Sequence, residues 1–127
     1  MKNTKIIILA FMLISPFFMS AQSIVGKWDM GGKDENGNTM QNIVTFNEDG
    51  TLTVDFGNDG TVNVRSTYTV NGNQISIKDT SADSPCRDQI GVYEVTIEGD
   101  VATAKVIDDP CDVRKGDGGI GTMTRVK

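Results

Sequence analysis

A series of short apolar-alternating segments joined by glycine-containing turns is the feature that most constrains the fold of this chain. Four of the connections are tight and carry glycine: 48–50, 58–60, 71–73 and 98–100. Glycine readily adopts the positive φ that such hairpin turns require. We expect eight strands, at 24–30, 41–47, 51–56, 61–70, 74–79, 90–97, 101–107 and 119–126. The pattern predicts an all-β fold, an eight-stranded up-and-down antiparallel barrel.

The turn positions also predict which residues face each other. The loop at 48–50 places Phe46 opposite Leu52 and Val44 opposite Val54. The remaining turns predict the pairs Phe56–Val62, Val54–Val64, Tyr68–Ile77, Val70–Ile75, Tyr93–Val106, Val95–Ala104 and Ile97–Ala102. A register shift of one residue would move every one of these side chains to the other face. Because all four turns place apolar residues on one face, we predict a single enclosed interior.

The N-terminal segment has the pattern of a bacterial-type secretory signal. Lys2 and Lys5 precede an apolar run at 6–14, which Ser15 and Pro16 follow. We expect residues 1–21 to be a cleaved signal peptide and residues 22–127 to form one domain, secreted or periplasmic. A membrane span needs about 20 continuous apolar residues, and Pro16 interrupts this run. No cysteine lies near the cleavage region, so the sequence predicts no lipid anchor.

The composition excludes several classes of function. Beyond residue 21 the chain keeps ten basic residues against seventeen acidic ones. Nucleic acids and anionic membranes require dense positive charge, so we expect neither as a partner. The chain has no histidine, which removes the commonest general base and the commonest metal ligand. We therefore predict that the protein is not an enzyme and holds no cofactor and no metal.

The two cysteines, Cys86 and Cys111, predict a disulfide. The predicted register brings them together at the open end of the hairpin formed by strands 90–97 and 101–107. In an exported protein such a pair indicates a bridge. A redox-active pair is the alternative, but the chain lacks both the C-x-x-C spacing and a histidine that would lower a thiol pKa.

Three polar segments carry residues that could form ion or phosphate sites. Residues 34–38 alternate oxygen ligands as a calcium loop does, but glycine is absent at its sixth position, Thr39, and glutamate at its twelfth, Thr45. The glycines of 116–121 do not join a strand to a helix, as a phosphate loop would. The charged residues around the cysteines are Arg87, Asp108, Asp109, Asp112, Arg114 and Asp117. For these we expect ion pairs in a solvated loop, with a weak cation site as the alternative.

The first and last predicted strands carry a family resemblance. Gly26-Lys27-Trp28 opens the first strand with the only tryptophan of the chain, and Arg125 lies in the last strand. This arrangement resembles the lipocalin and calycin barrels, and most closely the short lipocalin-like domains of bacterial secreted proteins. The resemblance implies that Trp28 closes one end of the barrel and that Arg125 packs over its ring, both in structural roles. Cation–π attraction would stabilise that contact.

The resemblance and the predicted pairing together suggest a function. We expect a secreted, non-enzymatic lipocalin-like domain that binds a small hydrophobic ligand in the barrel. The candidate lining residues are Phe46, Val54, Phe56, Tyr68, Val95 and Ala104. The same side chains could instead fill the interior, because an eight-stranded barrel is just wide enough for either outcome. The alternative function is a protein-binding module such as a secreted peptidase inhibitor, which would use an N-terminal arm. The pattern does not indicate an oligomeric state.

Overall fold

The strands form a closed antiparallel barrel in which each strand pairs with the next and the first pairs with the last. This computed structural model describes residues 23–116 and 120–127, so the predicted signal peptide lies outside the described residues. The strands are β1 (Gly26–Asp29), β2 (Asn42–Phe46), β3 (Thr51–Phe56), β4 (Val64–Asn71), β5 (Gln74–Asp79), β6 (Ile90–Glu98), β7 (Val101–Asp108) and β8 (Ile120–Arg125). One short helix, α1 (Asp112–Lys115), precedes β8. The predicted all-β barrel is confirmed.

The predicted register is confirmed at three of the four turns. Phe46 pairs with Leu52 and Val44 with Val54. The other pairs that match are Tyr68–Ile77, Val70–Ile75, Tyr93–Val106, Val95–Ala104 and Ile97–Ala102. The turn chemistry therefore specified the inward face, because the hairpin loops leave only one register in which both strands bury their apolar residues.

The β3–β4 connection is longer than the sequence predicted. Val54 pairs with Val64 as expected, but β4 begins at Val64 and Phe56 has no ladder partner in Val62. The N–H of Phe56 donates instead to the side-chain oxygen of Asn63 at 2.8 Å. The carboxylate of Asp55 accepts the N–H groups of residues 59 and 60. Such side-chain hydrogen bonds offer the backbone an alternative to strand pairing, and here they replace the predicted pairing of Phe56 with Val62.

The connections divide the barrel into two unlike ends. Because successive strands run in opposite directions, alternate connections lie at the same end. One end, which we call the turn end, carries the short connections 47–50, 72–73 and 99–100. The other end, which we call the loop end, carries the long connections 30–41, 57–63 and 80–89 and the described part of the β7–β8 connection, 109–116.

The indole of Trp28 is buried near the turn end. Its side chain has no exposed surface, and its indole Nε1 donates to the carbonyl of Ile24 at 2.8 Å. The guanidinium carbon of Arg125 lies 4.2 Å from the centroid of the indole. Arg125 also donates to the carbonyls of Val25 and Ser23, each at 3.2 Å. Since Trp28 and Arg125 are paired across β1 and β8, this contact ties the N-terminal segment and the last strand together.

A hydrophobic core surrounds the indole. Its other buried members are Ile24, Val44, Phe46, Leu52, Val54, Tyr68, Ile75, Ala102 and Met123. On the strands these residues alternate with more exposed ones, as expected for a sheet with one buried face. Among the residues that the structure describes, no helix has the length and apolar character needed to cross a membrane.

Replacing Trp28 with alanine tests the packing of its indole. We expect Trp28→Ala to lower the free energy of unfolding by about 3–5 kcal/mol, because it removes a large, fully buried side chain. Lys27→Ala is the matched control, since Lys27 is the exposed neighbour on the same strand, and it should change stability by less than about 0.5 kcal/mol. Urea denaturation followed by circular dichroism measures both. A loss below about 1 kcal/mol for Trp28→Ala would contradict this burial.

Candidate functional site

The interior of the barrel contains a cavity of about 400 Å³. Its apolar wall consists of Val44, Phe46, Leu52, Val54, Val64, Ile75, Ile77, Val95, Ala104 and Met123. Residues of the long connections, such as Met30 and Pro85, also border it, so the cavity opens toward the loop end. Small-molecule sites in proteins commonly measure roughly 300–1,000 Å³ and are largely apolar. The size and chemistry of this cavity are those of a site for a small apolar molecule.

The structure places five of the six candidate lining residues on the cavity wall: Phe46, Val54, Phe56, Val95 and Ala104. Tyr68 is buried but does not border the cavity. Its ring packs edge-on against Phe46, with centroids 5.0 Å apart and planes at 86°. Its hydroxyl donates to the carbonyl of Asn47 at 2.6 Å. Tyr68 therefore holds Phe46 in place from the turn end instead of lining the cavity.

An apolar rim surrounds part of the cavity mouth. Three side chains that border the cavity are also well exposed: Met30 (39%), Phe56 (47%) and Val113 (74%). Met30 directly follows β1, Phe56 is the last residue of β3, and Val113 belongs to α1. An apolar molecule entering the barrel would therefore meet an apolar surface before it reached the interior.

The mouth also carries a group of polar side chains that we call the mouth cluster: Ser66, Asp79, Ser84, Tyr93, Asp109 and Arg114. Asp79 and Asp109 are only 5% and 4% exposed. Arg114 binds both carboxylates, with Nε 2.7 Å from Asp109 Oδ2, Nη2 2.8 Å from Asp109 Oδ1 and Nη1 3.1 Å from Asp79 Oδ1. Ser66 and Ser84 donate to Asp79 at 2.8 Å and 2.9 Å, and the hydroxyl of Tyr93 donates to Asp109.

The mouth cluster corrects the expectation of solvated ion pairs in this region. Arg114 does pair with Asp109, but this ion pair is buried. Arg114 also pairs with Asp79, which is the last residue of β5. Sequence reasoning missed Asp79 altogether. For the burial of Asp109, Gly91 was the available signal, because a Cβ at this position would overlap the carboxylate of Asp109. Glycine inside a strand often marks such a close approach.

The hydrogen bonds of the mouth cluster determine its protonation. Burial raises the pKa of Asp109, but the hydrogen bonds from Arg114, Tyr93 and the N–H of Cys111 outweigh burial and lower this pKa to about 2. Burial, and then the bond to Asp109, raise the pKa of the Tyr93 hydroxyl well above its ordinary value. The bond to Asp109 likewise raises the pKa of Arg114. At neutral pH Asp109 is therefore ionised, Tyr93 is a neutral donor and Arg114 is charged.

The predicted disulfide, Cys86–Cys111, joins two segments that border the mouth. The cysteines are buried, and their Cα atoms lie 5.6 Å apart. Cys86 belongs to the connection 80–89, and Cys111 directly precedes α1, which supplies Arg114. The disulfide and the hydrogen bond from Arg114 Nη2 to the carbonyl of Gln89, at 3.0 Å, thus hold the same two segments together.

The structure shows how the 34–38 segment uses its oxygen atoms. Asp34 Oδ1 accepts the N–H groups of Asn36 and Asn38 at 2.9 Å and 2.8 Å, so this carboxylate stabilises its own loop. Within the part of the chain that the structure describes, no group of three acidic or cysteine side chains could hold a metal ion. The glycine-rich segment 116–121 lies partly outside the described residues.

Removing Arg114 tests the mouth cluster. We expect Arg114→Met to lower the free energy of unfolding by about 3–5 kcal/mol at pH 7, because it leaves buried carboxylates without a counter-charge. Arg87→Met is the matched control, since Arg87 is exposed and pairs only with exposed Asp88 among the described residues. Its cost should stay below about 1 kcal/mol.

The same variants carry a pH test. The lowered pKa of Asp109 stabilises the wild type fully above about pH 4, and this contribution is lost as the pH falls toward 2. The difference between wild type and Arg114→Met should therefore shrink between pH 4 and pH 2 in urea denaturation. A difference that stays constant over this range, or equal losses for both arginine variants, would contradict the buried pairing.

Removing the disulfide gives an independent test of the mouth. The double variant Cys86→Ala/Cys111→Ala should have a free energy of unfolding lower by about 3–4 kcal/mol. The disulfide closes a loop of 25 residues, and its removal restores the conformational entropy of that loop in the unfolded chain. The intact mass of the oxidised protein should lie two hydrogens below that of the reduced protein. Two free thiols in the native protein would refute the bridge.

A comparison with protein families gives an independent view of this barrel. Residues 24–106 match the family described as a lipocalin-like domain. The match runs from the buried Ile24 into β7 and includes Trp28 and the five predicted residues on the cavity wall. A search of curated proteins found no match. Members of the matched family are in general non-enzymatic binding proteins. The chain belongs to the lipocalin-like domain family.

Proposed function

We propose that this protein is exported and binds a small apolar molecule inside its barrel without catalysing a reaction. The cavity of about 400 Å³ carries this proposal, because it is walled by aliphatic and aromatic side chains and opens at the loop end. Residues of the long connections border the cavity at that end, so we expect a ligand to enter and leave through the mouth at the loop end. Such a container suits uptake and release of a molecule that is poorly soluble in water.

The energetics of apolar burial support useful affinity. Burial of apolar surface stabilises a complex by about 25 cal/mol per Å². A ligand that hides roughly 300 Å² of its own apolar surface would thereby gain about 7–8 kcal/mol, from which the loss of translational and rotational freedom on binding is subtracted. A preformed cavity favours binding, since ordering of flexible groups on binding would reduce the affinity.

The chemistry of the site favours binding over catalysis. The chain has no histidine, and its two cysteines are joined in a disulfide. The titratable groups nearest the cavity are held by one another: Tyr93 donates to Asp109, and Arg114 donates to Asp79 and Asp109. Groups fixed in this way are poorly suited to transfer protons to a substrate.

Two observations support export as part of the proposal. The N-terminal sequence has the charged, apolar and small-residue regions of a signal peptide. The barrel also contains a disulfide, a bond that persists mainly in oxidising compartments such as the periplasm and the extracellular space. Sequencing the N-terminus of protein recovered outside the cytoplasm tests this point, and an intact Met1 there would contradict cleavage.

Filling the cavity tests the binding function. The probe is N-phenyl-1-naphthylamine, an uncharged dye whose fluorescence rises in apolar surroundings. Ala104→Phe places a ring in the cavity and should weaken dye binding at least about tenfold, because the ring occupies the volume that the dye needs. The matched control is Lys105→Phe, since Lys105 is the exposed neighbour on β7 and its replacement should leave dye affinity unchanged.

The dye measurement requires that both variants remain folded, which circular dichroism establishes. Equal affinity of wild type and Ala104→Phe would place the dye outside the barrel and contradict the proposal.

Native mass spectrometry of protein purified from its own host would identify the physiological ligand from the mass that accompanies the chain.

A further inference from the structure

The polar groups of the cavity wall point to a particular class of ligand. Resting on the proposed function, we propose that the barrel prefers apolar molecules whose polar end donates hydrogen bonds, above all a primary amine, over molecules that end in a carboxylate. The proposal concerns the mouth cluster, which borders the cavity through Ser66, Asp79, Ser84, Tyr93 and Arg114.

The position of these groups orients a ligand. The deeper wall consists of apolar side chains, including Val44, Leu52 and Met123, whereas the charged residues of the wall, Asp79 and Arg114, lie at the loop end. A molecule with one polar end gains most by placing its apolar part in the interior, because an unpaired polar group there would lose its bonds to water. Its polar end then lies at the mouth, beside Asp79.

Asp79 has capacity for one more hydrogen bond. Its Oδ1 accepts from Ser66 and Arg114. Its Oδ2 accepts from Ser84 alone among the described residues. Each carboxylate oxygen has two lone pairs, so Oδ2 keeps one acceptor site. A carboxylate ligand has no proton to donate to that site at neutral pH, whereas an ammonium group has three.

The formal charge of the mouth cluster favours the same ligand class. Asp79 and Asp109 contribute two negative charges, and Arg114 contributes one positive charge. The guanidinium is turned toward these carboxylates and the carbonyl of Gln89, which take four of its N–H bonds. The cluster is therefore negative by one charge.

The surroundings do not reverse this charge. The exposed ion pairs on the same two segments, Arg87–Asp88 and Lys115–Asp112, each sum to zero. In a partly buried site, water and salt screen charges less than in bulk solvent. The negative cluster should therefore attract a cationic ligand end and repel an anionic one.

Three ligands of equal chain length test the inference on the wild-type protein. Decylamine, 1-decanol and decanoate share the same apolar tail and differ at the polar end. Each displaces N-phenyl-1-naphthylamine in a fluorescence titration at pH 7, below its micelle concentration. We expect decylamine to bind at least about tenfold more tightly than decanoate, with decanol between them, because the two ionic ends differ in the sign of their charge beside the cluster.

A charge-neutralising variant assigns this preference to Asp79. Asp79→Asn keeps an acceptor oxygen for Ser66 and Arg114 but removes the negative charge. It should reduce the decylamine-to-decanoate preference to below about threefold, since the remaining pair of Arg114 and Asp109 sums to zero. Asp88→Asn is the matched control, because Asp88 is an exposed acid of the same connection, and it should leave the preference unchanged.

The outcomes separate this inference from the proposed function. If decanoate displaces the dye as well as decylamine does, the inference is overturned while binding itself stands. If folded Asp79→Asn keeps the wild-type preference, the assignment to Asp79 is overturned. If neither the dye nor any of the three ligands binds, the proposed function fails as well. The wild-type comparison needs no variant, so it decides even where Asp79→Asn does not fold.

Discussion

The contact between the indole of Trp28 and the guanidinium of Arg125 joins the two edges of the sheet. β1 and β8 share only two paired positions, Trp28–Arg125 and Asp29–Thr124, so the ladder itself contributes little to closure. The stacked guanidinium adds cation–π attraction and two hydrogen bonds to the N-terminal segment. A sheet that failed to close would have exposed edges and no interior. The cavity depends on the closure to which this contact contributes, and the proposed binding function depends on the cavity.

The two ends of the barrel are stabilised by different chemistry. The turn end has short connections, and the buried indole of Trp28 packs near it. The loop end has long connections, and the cavity opens there. At this end the disulfide joins the connection 80–89 to the residue before α1, and Arg114 of α1 pairs with Asp79 at the end of β5. Buried ion pairs gain little net stability against their desolvation. Here they leave a negative group beside an otherwise apolar cavity, which connects the stability of the mouth with the ligand preference that we propose.

Local turn chemistry predicted most of the barrel. The register and the family resemblance also anticipated the contacts Cys86–Cys111 and Trp28–Arg125, whereas the buried pairing of Asp79 with Arg114 escaped prediction. Glycine turns and alternation were sufficient for strand number and most of the register, because both are properties of neighbouring residues. The start of β4 was missed, because the side chains of Asp55 and Asn63 replace backbone pairing there. Alternation identifies an inward face but not depth along the barrel, so Tyr68 was grouped with the cavity wall. The pair of Asp79 and Arg114 spans 35 residues and has no periodic signature. The peptidase-inhibitor alternative depends on residues before Ser23 and stays a prediction.

The central claim is that an apolar molecule occupies the interior of the barrel. Nuclear Overhauser effects between bound N-phenyl-1-naphthylamine and the methyl groups of isotope-labelled protein measure this directly, since they arise only between protons in close contact. We predict strong effects to Val54, Val95 and Ala104, which border the cavity, and none to the exposed Val101 at the start of β7. Effects confined to Val101 or other outward-facing methyl groups would contradict the claim.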